Sequence, residues 1–492
     1  MQTTWMMLFC MSVFLLAMSY HRLRLPAANW PEGLPPREAI LTVKVYRIFQ
    51  GSSQANDSGI ARIQESPDHL PYLRQQWLFV SVPKDMGGLH RQEVLSLKGQ
   101  LEYLPPGEPG SFEEFLHQQG AHLKLYRILR LETREPSPWW IRKLSQVRNR
   151  VHDTLAAGIE RFSDEVDIYR AMLLGEKGLI DPENKEHFIQ TGTFHLFAIS
   201  GLHVGIIAVS FLALTRLLRI PRPYDHAFSI FMVFLYVQMT GASPSSVRAF
   251  TMVFFFFLAS RLKRQSQPLQ ALIAAACCSL LWDPRELHSA GFQMSYSVVA
   301  GIILWGLPLE KVWRKHITTL SPLKPYRQTG PTRFAIGSLN KLSMALAVSL
   351  SAFFSSAPLS IQYFQVLAPG AIPLNIVLVP MASLSLIAGF LSSLLGLVGL
   401  DASSAFLNHG PLLLIKGMLL CLKSVGSIPG AFLNLSWPNQ WLGPGMALCF
   451  ILCLLAYPRK RRFSWDYLLF PIVFSLLGCI FAGIIITFTQ GI

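Results

Sequence analysis

The sequence predicts a polytopic α-helical membrane protein with one inserted, extracytoplasmic small β-barrel (OB-like) domain, and three observations predict it. Hydrophobic residues fill 51% of the 492 positions and charged residues only 14%, where soluble proteins average about a quarter charged. From residue 193 onward apolar segments follow one another at short intervals. The charge is also unevenly divided. Residues 1–195 hold 22 Lys/Arg and 22 Asp/Glu, whereas residues 196–492 hold 21 and 6, so the whole net charge of +15 lies in the apolar half. There it marks short loops between membrane spans, as the positive-inside rule expects, and is not by itself a nucleic-acid footprint.

Residues 1–35 read as a membrane anchor and linker. Trp5–Tyr20 is an apolar stretch without a basic leader or a small-residue cleavage site, which favours an uncleaved anchor. Residues 36–134 read as the β domain. Leu41, Val43 and Val45 alternate with Thr42, Lys44 and Tyr46, the period of a half-buried strand. Gln76–Val82, Gln92–Lys98 and Ala121–Leu131 are further strands, and Gly51–Asp68 is expected to be a polar loop. Several short strands in this length suit a small barrel or sandwich.

Residues 135–192 form an amphipathic or interfacial helical linker. Trp140, Leu144, Val147, Val151 and Leu155 share one helical face, and Arg142, Lys143, Arg148 and Arg150 face away from it. Such a helix suits either the headgroup layer, with Trp139 and Trp140 as anchors, or the surface of the β domain. Residues 193–492 contain about ten apolar spans, at 193–215, 226–241, 246–260, 268–282, 289–307, 343–366, 371–399, 409–427, 441–457 and 466–488.

The basic loops orient these spans. Arg216/Arg219/Arg222, Arg261/Lys263/Arg264, Lys311/Arg314/Lys315 and Arg459–Arg462 follow the first, third, fifth and ninth spans, so all four share one parity and are expected in the cytoplasm. That places residues 21–190 and the C-terminus outside it. Arg22 and Arg24 point the other way, and four concordant loops outweigh them.

Three polar clusters interrupt the apolar sequence: Thr193–Val204, Gly241–Arg248 and Gly291–Tyr296. In this topology each opens a span running from outside to inside, so all three fall in the outer half of the membrane and can line one vestibule. An arginine at membrane depth costs roughly 2.5–3.5 kcal/mol on insertion scales and normally faces a cavity or a partner. Arg248 therefore either lines a path for anions such as phosphate or snorkels to the headgroups. Ser200 and His203, three apart, fall on one helical face. They fit a nucleophile and its base or, better, hydrogen bonds between helices that Gly201 lets approach closely. His195 and His203 lie roughly 12 Å apart along a continuous helix and cannot share a metal ion. Ala357-Pro358, Pro369-Gly370, Pro373, Asn375 and Pro380 interrupt two spans, as backbone lining a cavity does, or as simple kinks do.

Several classes are disfavoured. All seven cysteines lie in apolar stretches, which leaves no zinc spacing or disulfide framework outside the membrane. No HxH or HExxH pattern and no GxxxxGK[ST] motif occurs, so the chain is not expected to be a metal hydrolase, nuclease or ATPase, and no cofactor is expected.

The run HLFAISGLHVGII from His195, the preceding AMLLGEKG at Ala171–Gly178, GASPSSVRAFTM at Gly241–Met252 and AGFQMSYS at Ala290–Ser297 strongly resemble the signatures of the ComEC competence family. PGSFEEFLHQQGA at Pro109–Ala121 and the broken spans carrying Ala357-Pro358, Asn375 and Pro380 resemble it too, over about residues 36–385. The resemblance implies a bacterial inner-membrane channel that passes one strand of incoming DNA into the cytoplasm during natural transformation, with an OB-like domain of a class that often binds single strands. It implies that His195, Ser200, Gly201, His203, Arg248, Gln293 and Ser295 are pore-region residues with structural or strand-contacting roles, and Asn375 joins them as a candidate. The expected partners are single-stranded DNA, membrane lipids, a separate DNA receptor, a cytoplasmic motor or strand-binding protein, and a separate nuclease. Many family members continue into a metallo-β-lactamase-like domain, so that activity is expected to be absent here or supplied by another protein. Two alternatives stay open: a transporter of another anionic or lipid-linked solute, and an intramembrane hydrolase using Ser200 and His203.

Overall fold

The alternation around Leu41 belongs to the first strand of a five-stranded barrel in a computed structural model of the chain. It describes residues 36–49, 56–67, 70–86, 88–105, 107, 112–196, 199–261, 268–320, 330–456 and 485–486. The expected anchor at Trp5–Tyr20 with Arg22 and Arg24, the span 466–488, and the basic groups Lys263/Arg264 and Arg459–Arg462 lie outside the described residues.

The strands are β1 (Arg37–Phe49), β2 (Asn56–Glu65), β3 (Trp77–Pro83), β4 (Val94–Tyr103) and β5 (Ala121–Glu135), with a short helix α1 (Phe112–Gln118) ahead of β5. They close a barrel in the order β1-β2-β3-β5-β4, with β3 and β5 parallel and the other pairs antiparallel. This is the arrangement of a small OB-like domain. Leu41, Val43 and Val45 point inward and are buried, Tyr46 points out, and Leu78, Leu95, Leu97 and Leu125 complete the interior. β1 reaches both neighbours because it is long: Arg37–Lys44 pair with β4, while Thr42–Phe49 pair with β2 across two register shifts.

The expected polar loop at Gly51–Asp68 is corrected, because Asn56–Glu65 is β2. Its first four residues are poor strand formers. Hydrogen bonding to β1 on one side and β3 on the other overrides that weak local preference, and Ile60, Ala61 and Ile63 are buried.

Five helical elements lead into the apolar half: α2 (Trp139–Ala156), α3 (Ser163–Leu174), the single turn Lys177–Leu179, α4 (Pro182–Gln190) and the single turn Phe194–Leu196. Asp181 starts α4 by accepting the backbone N–H groups of Glu183 and Asn184. The apolar helices follow as α5 (Gly201–Leu217), α6 (Arg222–Met239), α7 (Pro244–Arg261) and α8 (Pro268–Trp282). Next, α9 (Ala290–Gly301) runs through a π turn at Ile302–Gly306 into α10 (Leu307–Leu320). The last are α11 (Gly330–Phe364), α12 (Ala371–Leu397), α13 (Asp401–Gly426) and α14 (Leu442–Ala456).

Among the described residues five helical segments are long and apolar enough to cross a membrane: Phe194–Leu217, Ala290–Ile317, Arg333–Phe364, Ala371–Leu397 and Asp401–Gly426. Shorter apolar helices flank them. The chain is a multi-pass membrane protein. Of the two readings offered for Pro358 and Pro380, a helix break or a simple kink, continuous helices agree with the second: both prolines lie inside helices, and the turn falls at Pro369-Gly370.

The second half of the amphipathic stripe on α2 packs against the apolar helices, a surface other than the headgroup layer or barrel it was expected to suit. Val151 and Leu155, with Tyr169 and Leu173 of α3, join one core with Leu386 of α12 and Ile415 of α13. Glycines permit this approach: a Cβ on Gly389 would stand 2.8 Å from the Tyr169 hydroxyl, and one on Gly396 would stand 2.4 Å from Thr154 Cγ2. Asn408 of α13 closes the end of α2. Its Nδ2 donates to the carbonyls of Thr154 (2.8 Å) and Ala157 (3.0 Å), and its Oδ1 accepts from Ser392 (2.7 Å). Carbonyls that a helix terminus leaves free are thus satisfied by a neighbouring helix.

Candidate functional site

The ends of several apolar helices gather beneath the barrel. Gln238 at the end of α6 accepts a hydrogen bond from Arg91, on the barrel loop before β4, at 3.1 Å. Tyr363 at the end of α11 lies within electrostatic reach of Glu114 on α1. Ser200, Ser243 and Ser289 begin α5, α7 and α9 at this same end, since each of those helices is antiparallel to its neighbour.

Ser243 accepts the backbone N–H of Ser246 at 3.3 Å, so the serines of Gly241–Arg248 are used to start α7. One turn further on, Arg248 is only 4% exposed and turns inward. Its Nη1 donates to Glu286 Oε2 at 2.8 Å, and its buried Nε has no hydrogen-bond partner among the described residues. It does not snorkel. Glu286 sits on the turn Pro284–His288 between α8 and α9. Ser289 donates to the Glu286 carbonyl (2.9 Å) while its Oγ accepts the Phe292 N–H (3.1 Å) and starts α9. Gly291 leaves room for the guanidinium, since a Cβ there would stand 3.0 Å from Arg248 Nη2. Gln293 braces the turn by donating to the Leu287 carbonyl (3.0 Å) and accepting from Tyr363 (2.9 Å). The second and third polar clusters therefore meet, and the residue that joins them is Glu286.

The first cluster is arranged differently. Nδ1 of His203 lies 2.7 Å from Ser200 Oγ and 3.3 Å from the Ser200 backbone N–H. An Nδ1 accepting that N–H assigns the ring proton to Nε2, which is buried and faces the Leu196 carbonyl. The Ser200–His203 contact is thus within one helical turn and not between helices. The close approach expected at Gly201 is absent, because a Cβ there would meet nothing within 4 Å. Nδ1 of His195 is 3.2 Å from the Gly192 carbonyl. Ser295 is half-buried further along α9, and Asn375, in α12, has a buried Oδ1 without a partner. Among the described residues neither is hydrogen-bonded to the Arg248 network.

Three cations that sequence reasoning missed complete the site. Arg47 at the end of β1 interacts electrostatically with Glu286, Arg248 and Arg91, and burial pushes its guanidinium down to about 10 against the partial support of Glu286. Lys177 is pushed down to about 8 by burial, with the charges of Arg47 and Lys185 adding to the effect. Burial also lowers Arg91. Among the described residues none of these three has a carboxylate at ion-pair distance, and Glu286 is committed to Arg248. Lys177 instead lies 5.6 Å from the Phe194 ring, and Arg47 lies 5.3 Å from Phe49 and 5.4 Å from Phe115. Phe49 also packs against Phe112, which is 47% exposed, with centroids 5.4 Å apart. A half-buried cation excess beside aromatic faces suits a chain of phosphates carrying planar bases. The available signal was that Glu286 is one of only six acidic residues in 196–492. Nothing local marked Arg47, whose neighbours come from remote elements.

The competence protein family model matches residues 172–461. Among curated relatives, ComE operon protein 3 of Bacillus subtilis (strain 168) is 26% identical over 333 residues, covering 64% of this chain and 39% of the relative. An uncharacterized protein of Aquifex aeolicus (strain VF5) is 30% identical over 395 residues, 78% of each chain. Competence protein ComA of Neisseria gonorrhoeae is 32% identical over 152 residues, 29% of this chain and 21% of the relative. The chain thus spans well under half the length of ComE operon protein 3 and of competence protein ComA. No solved structure matches it. The chain belongs to the competence protein family.

Proposed function

We propose that this member of the competence family is an inner-membrane channel that takes single-stranded DNA into the cytoplasm during natural transformation. Its relatives' names tie the family to competence. The observation that carries the channel reading is the cluster of Arg47, Arg91, Lys177 and Arg248, assembled from both the barrel and the helices with one carboxylate among them. Phosphates entering between barrel and helices would supply the missing counter-charge, and the rings around Phe112 would stack bases. The barrel then faces outward, in keeping with Arg216/Arg219 and Lys311/Arg314/Lys315 standing at the far ends of α5 and α9–α10. A separate receptor would deliver DNA, a cytoplasmic motor or strand-binding protein would draw it in, and a separate nuclease would degrade the other strand.

Arrival of labelled DNA in the cytoplasm, scored as nuclease-protected signal, tests this with the gene intact, deleted, or carrying Arg248→Ala. Loss on deletion with DNA still bound outside is expected, as is loss with Arg248→Ala at normal protein level. Unchanged entry after deletion, in a cell with no second copy, would overturn the reading in favour of another anionic solute. The 2.7 Å approach of Ser200 Oγ to His203 Nδ1 is what favours the intramembrane hydrolase. A hydrolase loses all activity in Ser200→Ala, whereas a channel keeps most of its own.

A further inference from the structure

We propose that Glu286 is an exchangeable counter-ion: its carboxylate holds the place at Arg248 that a phosphate group of the passing anion takes over. This deepens the channel reading and rests on it only for the identity of that anion.

Three observations carry it. Arg248 is almost fully enclosed, yet among the described residues its Nε is unpartnered and its only charged partner is Glu286. Glu286 is the more open member of the pair, with a side chain 15% exposed against 4% for Arg248, and it stands on a single turn between two helices. The neighbouring charges are cationic: Arg47 reaches both Arg248 and Glu286, and Lys177 and Arg91 reach Arg47. When empty, the site needs one carboxylate to offset this field. When a phosphate arrives, that carboxylate becomes the like-charged competitor, and an opposite-charge partner with more oxygens is available to the guanidinium. Exchange keeps the anion from being held too tightly to move on, which conduction requires. Glu286 also discriminates, since a neutral solute has nothing to offer Arg248 in return.

The test uses the full-length protein in lipid nanodiscs, with linear polyphosphate and a short oligothymidylate as probes. Wild type, Glu286→Gln and Arg248→Ala are compared in melting temperature and in affinity. The expected result is that Glu286→Gln melts below wild type without anion, regains most of that loss with polyphosphate, and binds polyphosphate about tenfold more tightly. Arg248→Ala is expected to show neither rescue nor tightening. A Glu286→Gln protein that melts lower and is neither rescued nor tightened would make Glu286 a mere support for Arg248 and overturn the proposal. Tightening for polyphosphate with no oligothymidylate bound by any variant would uphold the exchange and remove single-stranded DNA as the cargo. Oligothymidylate bound equally by wild type and Glu286→Gln would overturn the exchange and leave the DNA reading standing. Binding of neither probe by any variant would overturn both. If Glu286→Gln does not fold, Glu286→Asp, which retracts the carboxylate by one methylene, is expected to give intermediate affinity, and wild-type affinity there would overturn the proposal.

Discussion

Two arginine–glutamate pairs in this molecule look alike in sequence and differ in use. Arg148 of α2 pairs with Glu176 just after α3, and there the carboxylate is the enclosed partner, 6% exposed against 19% for the arginine. His152 stands 3.5 Å from the same carboxylate, so Glu176 serves two bases. At Arg248 the order is reversed: the arginine is enclosed, the carboxylate is the more open, and unpaired cations surround it. The first arrangement clasps two elements together. The second leaves the anion replaceable. Burial by itself therefore does not separate a structural pair from a functional one, and the sign and pairing of the surrounding charges do.

The largest effect should come from breaking the clasp. Glu176→Ala leaves Arg148 enclosed without a partner and is expected to cost about 3–5 kcal/mol of stability. Polyphosphate should not restore it, and a denaturation series with and without the polyanion checks this. A rescue there would erase the contrast between the two pairs. Removing the uncharged join between α2 and α13 should cost less. Asn408→Ala removes a side-chain donor shared by the Thr154 and Ala157 carbonyls and is expected to lose about 1–3 kcal/mol, with no change in anion affinity.

On the exchangeable side, Arg47→Ala is expected to reduce the slope of log affinity for single-stranded DNA against log salt by about 0.7, the share of one phosphate contact. An unchanged slope would place Arg47 outside the path. The pH response sharpens the same point. Lys177 in the folded protein titrates at about 8, below its ordinary value. Below that pH it is charged and attracts the anion, so affinity should fall as pH rises through about 8, and Lys177→Arg should flatten the fall. Stability of the empty protein has the opposite sign. Between about 8 and the ordinary lysine value of 10.5 the unfolded chain holds the extra proton, so stability should rise with pH across that interval. The smallest effect is expected at Ser200. Ser200→Ala removes a contact within the first turn of α5, and DNA arrival should stay within a few-fold of wild type, a loss of about 1 kcal/mol.

Much of this architecture was legible because it rests on local periodicity. Alternation around Leu41 marked β1, and the apolar runs marked the spans, since each pattern repeats within a few residues. β2 escaped because its residues favour a loop, and its strand conformation comes from the neighbours on both sides. The stripe on α2 was visible, but an apolar stripe does not name the surface that covers it, and that surface is set by Gly389 and Gly396 two hundred residues away. Prolines at 358 and 380 suggested breaks or simple kinks, and packing held both helices continuous.

The site divides in the same way. Arg248 and Gln293 were found from sequence because polar residues in apolar runs are costly and conspicuous. Gly201 was misjudged, since close approach depends on where a neighbouring helix lies. Arg47 and Arg91 stand in ordinary polar sequence and Lys177 in the AMLLGEKG run, and they become a half-buried excess of charge only when the barrel is set on the helix ends. The sequence alone determined that this chain crosses the membrane repeatedly and carries a β domain, because hydropathy, period and charge sum along the chain. Only the tertiary structure decided that Glu286 closes on Arg248 and that the barrel lends it two further cations, Arg47 and Arg91, and the helical linker a third, Lys177, because electrostatic energy depends on distance in space and on the water excluded there.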